Sequence, residues 1–94
     1  MNAMRTGAAL ELQELASRCG VELPFLHQLV ELGIIEARAD DSKLFAYEVT
    51  LRVQRCVRLH RDLGVNLEGA AVIIDLLDRI EALEHQLHGL HHRR

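Results

Sequence analysis

Apolar positions recur along the chain first at helical and then at heptad spacing. Leu12, Leu15, Ala16 and Cys19 fall at i, i+3, i+4 and i+7, which puts their side chains on one helix face. Gly20 follows, the residue best able to close a helix in the left-handed conformation. Val21 and Glu22 intervene before Pro24, which is tolerated in a first turn because the amides there have no partner within the helix. A second short helix is therefore predicted, with Leu26, Leu29 and Val30 as its inner face and Gly33 as its stop. Two helices joined by a Gly-Val-Glu turn predict a helix-turn-helix pair, the second helix standing where a reading helix stands.

Ile34 to Arg38 and Lys43 to Tyr47 flank Ala39, Asp40, Asp41 and Ser42, a polar cluster suited to a tight turn between short extended arms. This predicts a small wing. A third helix is expected from about Glu48 to Leu63, with Val49, Val53, Cys56, Val57 and Leu63 inward and Gly64 at its end. Asn66 suits an N-cap, since its side-chain oxygen can accept a free amide of the next turn, and Val65 and Ala70 are placed as a staple. Beyond it Ile73, Leu76, Ile80, Leu83, Leu87 and Leu90 alternate steps of three and four, the a and d positions of a heptad seam, and Leu77 at an e position widens it. A seam projecting beyond its domain has nothing of its own to bury against, so a second copy of the chain is the simplest partner. The expected fold class is all-α with a minimal β wing: a flexible N-terminus over 1–9, a winged helix-turn-helix domain over 10–66, a C-terminal coiled-coil dimerisation helix over 67–90 and a tail over 91–94.

Composition adds limits to this picture. Apolar residues form 49% of the 94 positions, enough for one core without metal or disulfide, and with only Phe25, Phe45 and Tyr47 aromatic that core must be aliphatic. Cys19 and Cys56 are isolated and fall on inward positions, which predicts reduced, packed thiols. No apolar run approaches the roughly 18 to 20 residues of a membrane span, and Met1 to Gly7 lack the apolar stretch of a signal peptide, so a cytoplasmic location is expected.

The formal charge of −3 is mild but unevenly spread. Residues 20–36 hold Glu22, Glu31 and Glu36 with no Lys or Arg. From Asp62 to Glu84 six acids face the single Arg79, and between these regions lies a block of Arg52, Arg55, Arg58 and Arg61. No glycine-rich phosphate loop, no Cys-x-x-Cys and no Ser with a plausible His and acid partner stands out, so neither an enzyme nor a cofactor is expected. His88 and His92 could jointly face a metal on a continuing helix beside His85 and His91, but Gly89 and the terminal Arg93-Arg94 favour a solvated, fraying tail and no metal site.

A helix-turn-helix, a short wing, and a helix ending Leu63-Gly64-Val65-Asn66-Leu67-Glu68 before a dimerising helix resemble the MerR-type winged helix fold over about residues 10–90. Leu59-His60-Arg61-Asp62-Leu63-Gly64-Val65-Asn66-Leu67-Glu68-Gly69 and Leu76-Leu77-Asp78, with Gly20-Val21 and Leu29-Val30-Glu31-Leu32-Gly33-Ile34-Ile35-Glu36 in agreement, resemble, within that superfamily, the CbpM chaperone-modulator family. The resemblance implies a protein that binds the J-domain of a CbpA/DnaJ-like co-chaperone and inhibits its cooperation with DnaK, without binding DNA.

The alternative is a MerR-family DNA-binding transcriptional regulator. Affinity for DNA needs cations against phosphates and readout needs donors on the helix in the groove, and the second helix supplies neither. DNA-binding relatives usually place Arg and Tyr after the leucine of that helix, where this chain has His27 and Gln28 after Leu26. Glu22, Glu31, Asp40 and Asp41 would repel phosphates, leaving Arg38, Lys43 and the arginine block as the cations available. One continuous cationic face of Arg38, Lys43, Arg52, Arg55 and Arg61 would favour DNA. A J-domain instead presents a basic helix, which acids around an apolar centre would complement. Two candidate surfaces answer that description: Glu22, Leu26, His27, Glu31 and Glu36 on and around the second helix, and Asp75, Asp78 and Glu81 on the fourth.

Overall fold

A computed structural model gives the fold over residues 9–92, with side chains over 9–89. Helices α1 (Leu12–Cys19) and α2 (Leu23–Glu31) form the expected helix-turn-helix pair. Gly20, at φ +68°, adopts the left-handed conformation that lets the chain turn within three residues, and the Val21 amide then donates to the Ala16 carbonyl at 3.0 Å. Pro24 sits in the first turn of α2, and Ile34 donates its amide to the Leu29 carbonyl at 2.9 Å beyond the stop at Gly33.

The sheet is smaller than the wing pattern predicts, and its partner is different. Strand β1 (Ala9–Glu11) pairs antiparallel with β2 (Leu44–Ala46), Leu10 opposite Phe45, both buried. The arm at Ile34–Arg38 forms no strand among the described residues; it meets the other arm through a bridge between Arg38 and Asp41 and a bond from the Arg38 amide to the Leu44 carbonyl at 2.8 Å. Ile34 and Ile35 are both drawn into the core, so successive side chains there cannot alternate between two faces as a pleated strand requires. The pairing takes Ala9 into the domain; the expected flexibility of residues 1–8 and the end of the tail at 93 and 94 lie outside the described residues.

Helix α3 (Val49–Val57) buries Val53 and Cys56 and runs into a single π-type turn over Arg58–Asp62. There the Leu63 amide donates to the Arg58 carbonyl, five residues back, at 3.1 Å. The extra residue turns Leu63 outward: expected inside, it is 70% exposed, and Leu59 packs against the core instead. Gly64 at φ +72° breaks the helix, and Asn66 caps the next one by accepting the Gly69 amide on Oδ1 at 2.7 Å. Glycine suits that cap, because a Cβ at position 69 would lie 3.1 Å from both Asn66 Oδ1 and Val65 Cγ1.

Helix α4 (Leu67–His92) has 26 residues, roughly 39 Å of helix. Its beginning is anchored by buried Ala70 and Ile74, whereas every residue from Arg79 to Gly89 is exposed. The radius of gyration, 15.2 Å, exceeds the value of about 12 Å for a compact chain of this length and records that projection.

Candidate functional site

One candidate surface is the outer side of α4. Val72, Leu76, Ile80, Leu83 and Leu87, at steps of four, four, three and four, form a stripe whose members are 49% to 63% exposed. Ile73 and Leu77, expected on the seam, are half-buried on the flank between this stripe and the anchored side, and Val72 joins the stripe in their stead. The Leu90 side chain, the last expected seam position, lies outside the described residues.

The arginines of α3 turn toward the other flank of α4. Arg52 pairs through Nη1 with Asp78, and its Nε–H donates to the Ile34 carbonyl at 2.8 Å. One turn on, Arg55 pairs with Glu81 at 2.7 Å, and that hydrogen bond raises the guanidinium further above its ordinary value. Arg38 forks onto both oxygens of Asp40 at 2.9 and 2.8 Å and holds that carboxyl below the usual range. Arg61 stands 5.3 Å above the Phe25 ring, whose neighbour His60 donates Nδ1–H to the Val65 carbonyl at 2.8 Å. Arg38, Arg52 and Arg55, three of the cations a duplex-binding face would need, are thus each engaged by a carboxylate. Asp78 and Glu81 are engaged by the same bonds, and Asp75 lies 3.7 Å from Arg79 in an exposed i, i+4 pair that contributes at most some tenths of a kcal/mol.

The surface of α2 differs. Glu22, His27, Glu31 and Glu36 are all exposed, and among the described residues no ion pair reaches the three glutamates. His27, Val30 and Glu31 share one side of the helix by their spacing, and Val30 and Leu32 are 40% and 37% exposed among these acids. Two expectations are corrected here. Leu26, expected at the partner surface, is wholly enclosed in the core and presents no surface, and Val30, expected on the inner face, is exposed. The result is a helix that exposes acidic and apolar positions, with Glu22 at its start, Val30 and Glu31 in its last turn and Leu32 at its end, and Glu36 just beyond.

Neither cysteine is placed for chemistry. Cys56 is buried, Cys19 is half-buried with Sγ 4.0 Å from the Thr50 carbonyl, and burial pushes both thiols up from their ordinary value. Iodoacetamide at neutral pH is expected to leave Cys56 unmodified and Cys19 slow in the folded protein, both reacting once it is denatured; mass spectrometry showing fast double labelling of the folded protein would contradict this packing. No group of three His, Cys, Asp or Glu gathers to hold a metal among the described residues, and the side chains of His91 and His92 lie outside them.

Comparison with known proteins finds relatives along most of the chain. The family model of MerR HTH family regulatory proteins matches residues 10–92. The chaperone modulatory protein CbpM of Coxiella burnetii is 31% identical over 83 residues, covering 86% of this chain and 78% of the relative. CbpM of Pseudomonas putida is 29% identical over 86 residues, covering 89% and 85%, and that of Pseudomonas entomophila 28% over 76 residues, covering 79% and 75%.

Proposed function

The chain belongs to the MerR helix-turn-helix regulatory family and, within it, to the CbpM chaperone modulatory proteins, and from that membership we propose that it is a cytoplasmic chaperone modulator that captures the J-domain of a CbpA/DnaJ-like co-chaperone. Capture occludes the basic helix that the J-domain offers to DnaK, and no bond is made or broken. The observation that carries this reading is the surface of α2 and the segment after it, where Glu22, Glu31 and Glu36 are exposed without an ion pair among the described residues and Val30 and Leu32 are exposed beside Glu31 in the chain. Complementary charge of this kind chiefly speeds encounter and selects partners, while an exposed apolar side chain such as Val30 supplies contact area. The acids of α4 are the weaker candidates, because Asp78 and Glu81 would first have to leave Arg52 and Arg55. Among the described residues no helix is long and apolar enough to cross a membrane, which suits a partner met in solution.

A second copy of the chain is the partner we assign to the α4 stripe, in a coiled-coil homodimer. Five apolar side chains in a row on a helix that has left its own domain favour burial against an equal stripe.

Titrating a purified J-domain against the immobilised protein is expected to give saturable, salt-sensitive binding, and the double variant Glu31→Lys/Glu36→Lys should weaken it about tenfold or more. Random-sequence duplex at low salt is the control. Retention of duplex with no J-domain binding would replace this reading by that of a DNA-binding regulator.

A further inference from the structure

Arg52 is the one side chain described above that joins three parts of the fold. It stands on α3, its Nε–H donates to the carbonyl of Ile34, and its Nη1 pairs with Asp78 of α4. Ile34 follows the stop of α2 and lies between Glu31 and Glu36, and with Ile35 it is anchored in the core. The carbonyl that Arg52 grips therefore belongs to the segment between the exposed Glu31 and Glu36, and the carboxylate it grips belongs to the helix carrying the apolar stripe.

We propose that Arg52 is a positioning residue that registers α4 against the acidic surface of α2, so that the placement of the dimerisation helix and the shape of the partner surface are set by one guanidinium. The proposal rests on the J-domain reading for its functional consequence, but the registration itself is a property of the free protein. A planar guanidinium donates in two fixed directions at once, whereas a lysine ammonium in the same place keeps the charge without that fork. The arginine remains about one-third exposed and Asp78 somewhat more, so the tie can open without unfolding the core.

The sign of the functional effect separates positioning from charge. If Arg52 acted only as a cation, removing it would make the protein more acidic and tighten its hold on a basic partner. Positioning predicts the reverse.

The test uses the full chain as wild type, Arg52→Gln, Arg52→Lys and Asp78→Asn, followed by amide hydrogen exchange and by titration with a purified J-domain. Arg52→Gln and Arg52→Lys are expected to raise exchange together in the stretch 30–37 and in the stretch 73–81, and to weaken J-domain binding about fivefold. Asp78→Asn, which leaves the Ile34 bond in place, should raise exchange in α4 alone. Exchange that changes only within α3, full rescue by lysine, or unchanged or tighter J-domain binding by Arg52→Gln would overturn the proposal. Should the wild-type protein not bind the J-domain, the functional reading fails by itself, and the exchange pattern alone decides the registration.

Discussion

Replacing Leu83 with aspartate is expected to halve the mass that light scattering reads for this chain at micromolar concentration. Leu83 sits inside the stripe of Val72, Leu76, Ile80 and Leu87 and is 63% exposed in the single chain. In a two-chain seam a carboxylate at that position would lose its water without gaining a partner, and the symmetry of the pair imposes that loss twice. A few kcal/mol at each site raises the dissociation constant at least about a hundredfold. The helix itself should persist, because an aspartate on an exposed helical position costs only about 0.7 kcal/mol of propensity, so circular dichroism of the variant should stay close to that of the wild type. An equal mass for both proteins, whether of one chain or two, would mean that the stripe is not a self-association seam.

The second large effect is on stability. Leu26→Ala should cost about 2–5 kcal/mol, because the side chain is entirely enclosed and its loss leaves a cavity as well as removing apolar burial. Domains of this size have total stabilities of roughly 5–14 kcal/mol, and the corresponding fall in melting temperature is roughly 10–25 °C. J-domain capture measured at low temperature, where the variant stays folded, should be unchanged, since Leu26 offers no surface. Lost capture with an unchanged melting temperature would restore Leu26 to the contact surface.

Much of this architecture was legible in the residues because it is punctuated locally. Gly20, Pro24 and Gly33 bound two short helices by their own backbone preferences, and Asn66 starts the last helix by a bond to an amide three residues away. Features that depend on distant partners were not legible. Strand β1 has three residues, too few for alternation to register, and its partner lies more than thirty residues on. Val30 and Leu26 are both apolar and one turn apart, so periodicity alone left them on one face, and only the packing of the domain separates the enclosed one from the exposed one. The pairing of Arg52 and Arg55 with Asp78 and Glu81 needed the register of α3 against α4. The sequence carries a hint of it, since 52 to 55 and 78 to 81 share a spacing of three and carry opposite charges.

The π-type turn over Arg58–Asp62 has a consequence for how such a domain can be remodelled. It holds one residue more than an ordinary helical turn, and deleting that residue would swing the exit toward α4 by about 100° around the axis of α3. The core side chains Val53 and Cys56 precede the turn and would keep their places. A single-codon change at this elbow would therefore re-aim the long arm and pull Leu59, Ala70 and Ile74 away from the interior, so the extra residue of this turn is what seats α4 on the core.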